Sequence, residues 1–385
     1  MKPISIYIHI PFCIKKCHYC DFLSAPATSR TQEDYLCALK QEIITQAAFY
    51  DDYEVQTIFI GGGTPTVVSA DSLCKILFIL RQYYHVSSDA EISMEANPGT
   101  VTEESLQLYL NAGINRLSFG LQSADNNELK CLGRIHTYED FLHSYEMAVN
   151  VGFHNINVDL MSALPGQKPF NYQNTLNKII SLSPRPTHIS AYSLIIEEGT
   201  FFYQLYGDES EAMERTGETQ PHLPSEKDER IMYESTEKVL KSAGYHRYEI
   251  SNYSLPGYEC RHNKVYWQRG NYVGFGLGAS SMVNNQRFQN ISDLKDYLIE
   301  PGERMTKQLL SKEEQMSEFM FLGLRLMKGV SKEDFYTYFG ISMDDVYGNV
   351  LEKNAQEGLL RNGRRVTLTK RGISLSNMVM AQFLL

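Results

Sequence analysis

The chain has 385 residues, of which 43% are apolar and 21% charged, enough for one large core and a smaller one and too evenly mixed for disorder. Its net charge of −10 argues against a general nucleic-acid binder. No run of eighteen apolar residues is present to cross a membrane, and MKPISIYIHIPFC lacks the layout of a signal peptide, so a cytoplasmic protein is expected.

Strand-like runs alternate with helical ones along the first half. Residues 4–9 read as a strand and 32–49 as a helix; 55–60 and 69–84 repeat the pair. Strand 91–95 precedes an amphipathic helix at 102–111, opened by a capping-box-like Thr102-Glu103-Glu104-Ser105. Strands at 115–119, 154–159 and 187–194 follow, with helices near 137–150 and 171–182. Six βα units predict an α/β fold with a parallel sheet and right-handed crossovers, either a partial (βα)6 TIM-like barrel or a doubly wound sheet. Residues 197–229 are polar and acidic and read as a long surface loop, a candidate lid, with a helix at 226–243. Short strands and glycine turns are expected over 245–300. Helices at 311–327, 331–338 and 343–357, a strand pair around 361–368 and a last helix suggest a winged-helix-like module. The expected division is 1–240 for the barrel, 241–305 for an associated α+β segment and 306–385 for the terminal module.

Unusual residues stand at the C-terminal ends of the predicted strands: Cys13, Gly61-Gly62-Gly63, Glu95, Gln122 and Asp159. Parallel sheets gather sites at that edge, so these residues should converge. Seven cysteines, three of them crowded, do not form a disulfide framework. Cys37 and Cys74 fall in helical segments and read as small buried residues. Cys13-x-x-x-Cys17-x-x-Cys20 suits three irons of one 4Fe-4S cube whose fourth iron stays open to a chelating small molecule. A zinc site is the alternative, but zinc favours four ligands, and His18 lies awkwardly inside the loop.

The Cx3Cx2C spacing after a first strand, with Tyr19 before the last cysteine, resembles the radical S-adenosylmethionine (SAM) signature. The resemblance implies a 4Fe-4S cluster on Cys13, Cys17 and Cys20, with SAM on the open iron as the source of a 5′-deoxyadenosyl radical. Gly61-Gly62-Gly63-Thr64-Pro65-Thr66 resembles the family's strand end that holds the methionine part of SAM. Read alone it is a βα turn, and it is not a P-loop. Tyr7 to Cys13, Glu95-Ala96-Asn97-Pro98-Gly99, Arg116–Gln122 and Leu164-Pro165-Gly166-Gln167 are similar to the group that contains oxygen-independent coproporphyrinogen III dehydrogenases and heme chaperones. That group implies Tyr7, Phe22, Gly62, Gly63, Thr64, Glu95, Gln122, Arg134 and Asp159 as the SAM site. Read singly, Gln122, Arg134 and Asp159 are ordinary hydrogen-bonding residues.

Within the group, the dehydrogenase pattern is CxxxCxxCxC, and Phe22 occupies the last position here. Only twelve residues precede Cys13, so the dehydrogenase's N-terminal arm is missing from the pattern. His262-Asn263-Lys264-Val265-Tyr266-Trp267 resembles the HNxxYW motif of the heme-chaperone branch. It implies His262 as a heme ligand with Tyr266 and Trp267 packed on the macrocycle; without the resemblance it reads as a core histidine beside an aromatic pair. Cys260 is a weaker ligand candidate. The implied partners are heme and an acceptor hemoprotein, for instance in the respiratory chain and so in a membrane, and the cluster could govern a homodimer. The alternative implied by the same residues is a radical SAM oxidoreductase acting on a porphyrinogen. Gly274-Phe275-Gly276-Leu277-Gly278-Ala279-Ser280 lacks the βαβ context of a dinucleotide loop and is expected to let backbone approach the site. The basic Arg361-Asn362-Gly363-Arg364-Arg365 reads as a solvated or docking face rather than a nucleic-acid contact.

Overall fold

The computed structural model describes residues 1–207 and 221–385. Part of the acidic 197–229 stretch therefore lies outside the described residues. The part before it is not all loop, because Phe201–Tyr206 forms a short helix under a Thr200 cap.

Six parallel strands form the centre: β1 (Lys2–Ile10), β2 (Tyr53–Gly62), β3 (His85–Ala96), β4 (Arg116–Gln122), β5 (Ile156–Ser162) and β6 (His188–Ser193). The helices on their outer side are α1 (Ser29–Gln46), α2 (Ala70–Tyr83), α3 (Glu103–Asn111), α4 (Asn126–Cys131), α5 (Tyr138–Val151) and α6 (Pro169–Ile180). Each strand pairs with the next in chain order, without the reversal that a doubly wound sheet requires, so the barrel-type arrangement is the one adopted. β1 and β6 do not meet. β1 instead takes β9 (Tyr272–Phe275) as its outer parallel neighbour, followed by antiparallel β10 (Ser280–Val283), β11 (Gln286–Asn290) and β12 (Arg304–Leu309). β6 takes antiparallel β8 (Asn252–Ser254), which pairs with β7 (His246–Arg247). The barrel is thus a partial one.

Alternation in the strands explains the layering. In β1, Ile4, Ile6, Ile8 and Ile10 are at most 2% exposed and join the core with Leu36, Leu39 and Ile43 of α1. Period two then turns Ser5, Tyr7 and His9 to the interior. α3 opens with the expected capping box: the Ser105 N–H donates to Thr102 Oγ1 at 3.1 Å, and the Thr102 N–H donates to Ser105 Oγ at 2.9 Å.

The 245–300 region departs from expectation. With Phe201–Tyr206 counted as α7, α8 (Glu226–Ser242) leads in as expected, but the region itself contains two helices, α9 (Arg261–Trp267) and α10 (Leu294–Ile299), beside its short strands. The glycine stretch 274–280 does not border the cysteine cavity. Its Gly276 N–H donates to Glu42 Oε2 and its Leu277 N–H to the Tyr35 hydroxyl, and a Cβ on Gly276 would lie 2.5 Å from that hydroxyl. A second core, including Met320, Phe335, Tyr347, Leu351 and Val366, joins α11 (Lys312–Gly323), α12 (Lys332–Phe339) and α13 (Met343–Gln356). Its three-stranded sheet runs β13 (Val330–Ser331), β15 (Arg365–Leu368), β14 (Leu360–Asn362), as expected of a winged-helix-like module.

Candidate functional site

The cysteine loop leaves the C-terminal end of β1 and is anchored from three directions. The Cys13 N–H donates to Ala25 O at 3.2 Å, and Ala25 returns a bond to Pro11 O. The His18 N–H donates to Leu132 O, and Phe202 N–H of α7 donates to His18 O. The glycine turn after β2 is stitched to the same segment, through Gly63 N–H to Ile10 O at 2.8 Å and Thr64 N–H to Phe12 O at 2.7 Å. Gly62 sits at φ +109°, and a Cβ there would lie 2.4 Å from the His9 ring. Only glycine allows that fit. His9 accepts a bond from the Tyr7 hydroxyl at Nδ1 (2.9 Å), and its Nε2–H donates to Leu23 O (2.8 Å). The turn that resembles a SAM cradle therefore also clamps the loop that carries the cysteines.

Cys13, Cys17 and Cys20 are half-buried and open on one cavity of about 120 Å³. Phe22, Gly62, Gly63, Thr64, Glu95, Gln122, Arg134 and Asp159 line it as well. Thr64 Oγ1 donates to Cys13 Sγ at 3.6 Å and Arg134 Nη1 to Cys17 Sγ at 3.5 Å. Arg134 Nη2 also bonds Asn97 Oδ1 (2.7 Å) and Gly120 O (2.5 Å). His18 turns away: its Nδ1 meets Cys131 O at 2.9 Å, and its ring packs on Phe201. Among the described residues no three His, Cys, Asp or Glu side chains are grouped to hold a single metal ion. Three free thiols lining one cavity, with no protein side chain beside them as a fourth ligand, are the donor set that a cube with one open iron takes. The charge pattern fits SAM. Burial, then repulsion from Asp159, pushes Glu95 up to about 7; burial also raises Asp159. Two buried carboxylates facing one space are relieved by a cationic ligand, and SAM carries a sulfonium and an ammonium.

A second cavity of about 480 Å³ continues from the first, sharing Tyr19, Phe22, Gly62, Glu95, Ser118, Gln122 and Asp159 with it. Tyr7 lines this inner part, and α9 forms its floor. The backbone N–H groups of Arg261 and His262 donate to the two oxygens of Glu91, each at 3.0 Å, which plugs α9 into the N-terminal mouth of the barrel. His262 is 1% exposed, and both ring nitrogens are engaged, Nδ1 with Thr57 Oγ1 and Nε2 with the Tyr266 hydroxyl, each at 2.8 Å. Trp267 is not brought to this floor. It lies on the far side of α9, beneath the Arg325 guanidinium at 4.2 Å, in a separate cavity shared with α11 and α12. The HNKVYW segment is a short helix whose ends face two different spaces. Cys260 is fully buried with its thiol 3.6 Å from Glu91 Oε1, and burial pushes it up to about 12, which does not suit a ligand. Cys37, expected to be buried, is exposed on α1.

Residues 7–179 match the family model of the radical SAM superfamily, and 310–375 match that of the HemN C-terminal domain. A Bacillus subtilis protein named heme chaperone HemW is 40% identical, the alignment covering 99% of each chain. The Escherichia coli protein of that name is 34% identical over 100% of this chain and 99% of its own. The solved structure of E. coli coproporphyrinogen III oxidase (HemN), described as a radical SAM enzyme, superposes with a TM-score of 0.85 at 23% identity, over all of this chain and 90% of that one. That likeness establishes the fold, and the cluster and SAM are what the radical SAM family implies. Sharing 40% of its residues with one relative across almost its full length, the chain belongs to the HemW family of the radical SAM superfamily.

Proposed function

We propose that this protein is a heme chaperone, binding heme and delivering it to an acceptor hemoprotein in the cytoplasm or at the membrane. The observation that carries the reading is the end-to-end similarity to relatives named heme chaperone HemW, which runs through the barrel, α9 and the terminal module alike. Cys13, Cys17 and Cys20 hold the cluster, and Tyr7, Phe22, Gly62, Gly63, Thr64, Glu95, Gln122, Arg134 and Asp159 surround SAM. A 4Fe-4S cluster with one open iron binds the amino and carboxylate groups of SAM and can pass it an electron.

The chain's own residues prepare that site. Arg134 sets a positive charge against Cys17 and ties it to Asn97 and β4. Glu95 accepts the Gly62 N–H at 3.0 Å, which fixes the glycine turn against the carboxylate. Phe22, 60% exposed at the cavity rim, adds apolar surface where a further cysteine would add a thiolate. For heme, His262 is the ligand we assign, through Nε2 once the Tyr266 hydroxyl turns aside. Trp267 is left out of that set because it faces another cavity.

The test is anaerobic reconstitution, heme titration followed by Soret absorbance, and transfer to an apo-hemoprotein. Binding in near-equal stoichiometry followed by transfer supports the proposal. Conversion of coproporphyrinogen III to protoporphyrinogen IX with SAM would make the protein an oxidoreductase instead.

A further inference from the structure

Arg116 begins β4 and lies at the deep end of the barrel interior. It is 2% exposed, and it lines the inner cavity. Its side chain makes no hydrogen bond and no ion pair among the described residues, and its Nε is buried without a partner. Asp159, Glu91, Tyr248 and Cys260 are close enough to act on its charge through space, but none accepts a bond from it. A guanidinium has five donors and no way to lose its proton, so burying it unbonded is expensive. Most of the polar side chains on the β5 and β6 side of it are satisfied. Asn157 Nδ2 bonds Ser118 Oγ and Asp159 Oδ1, and His188 Nδ1 meets Asn157 Oδ1. Beside Arg116, only Ser93 Oγ on the facing position of β3 is a buried polar side-chain atom without a partner at this level among the described residues.

The space in front of it has the character of a ligand pocket. Its volume of about 480 Å³ falls within the range of small-molecule sites. Tyr7, Phe59, Met161, Tyr192 and Tyr266 supply flat or adaptable apolar surface along its walls. The SAM-facing carboxylates Glu95 and Asp159 line both cavities and are near enough for the Arg116 charge to act on them. A molecule entering past the cysteine loop meets acidic groups first and one planar cation last.

We infer that the inner cavity binds a small carboxylate with a flat apolar body, its carboxylate held by Arg116 and its ring between the tyrosines. The guanidinium fork matches a carboxylate in two parallel bonds, which a buried lysine could not reproduce. This site lies below the SAM-facing residues and shares its cavity with His262 and Tyr266, so heme ligated by His262 would exclude the acid and the test uses heme-free protein.

The probe is 4-hydroxyphenylacetate against its uncharged amide, titrated into the heme-free full-length protein with its cluster and saturating SAM, by calorimetry or ligand-observed NMR. The acid is expected to bind at least tenfold more tightly than the amide. Arg116→Met should erase that preference, and Arg116→Lys should keep only part of it. Should Arg116→Met not fold, Met161→Trp fills the cavity without touching Arg116 and should abolish acid binding. Equal binding of acid and amide, no binding of either, a preference that survives Arg116→Met, or undiminished acid binding in Met161→Trp would each overturn the inference.

Discussion

Acid should loosen α9 from the barrel floor through one residue. Burial, and then the charge of Arg116, lower His262 from 6.5 to about 3. The folded protein holds this ring neutral, while the unfolded chain protonates it near 6.5. Protons therefore favour the unfolded chain. The contribution is fully present above pH 6.5 and is lost as pH falls toward 3. The gap corresponds to about 5 kcal/mol over the whole window, of which about 2 kcal/mol is gone by pH 5. His262→Gln keeps an acceptor for the Tyr266 hydroxyl but cannot take the proton. The assay is urea unfolding at pH 8 and pH 5, followed by emission of Trp267, the only tryptophan of the chain and a member of α9 itself. The wild-type loss between the two pH values should exceed that of the variant by about 2 kcal/mol; His188, also buried and depressed, is common to both and cancels. Parallel pH dependences would refute the reasoning.

Other substitutions test the upper site. Arg134→Met leaves Asn97 Oδ1 and Gly120 O without their donor and should cost about 3 kcal/mol in chemical denaturation, with reduced iron retention. Gly62→Ala forces a Cβ against His9 at positive φ and should destabilise by at least about 2 kcal/mol, measured by the unfolding midpoint. Cys37→Ser, on an exposed position of α1, should leave iron and sulfide content unchanged, whereas Cys20→Ser should lose both.

The βα series was legible because each strand has a strong apolar half and each long helix a clear period; the expected and observed segments differ at their ends, and the short α4 (Asn126–Cys131) was not expected. Barrel and doubly wound arrangements could not be separated from periodicity, since strand order depends on long-range pairing. α9 was missed for a different reason. Seven residues containing Val265 and two aromatics carry no helical period, and the helix is held by the bonds from its backbone to Glu91, 170 positions away. The site residues at strand ends converged as expected, but Asn97, Ser118, Asn157 and Arg116 were not anticipated as site residues. Their signal was present as alternation: in β4, Arg116, Ser118, Gly120 and Gln122 interleave with Leu117, Phe119 and Leu121. In a parallel sheet covered by helices, the polar half of such a strand can only face the barrel interior. Trp267 shows the opposite failure, for adjacency in a motif did not become adjacency in space.

The account rests on three thiolates holding a cube whose free iron faces SAM, and electron paramagnetic resonance of the anaerobically purified, dithionite-reduced protein tests it most directly. A reduced 4Fe-4S signal that changes shape when SAM is added, and that vanishes in Cys13→Ala, is the predicted result. A protein with one zinc per chain and no such signal, or a signal that SAM leaves unmoved, would contradict it.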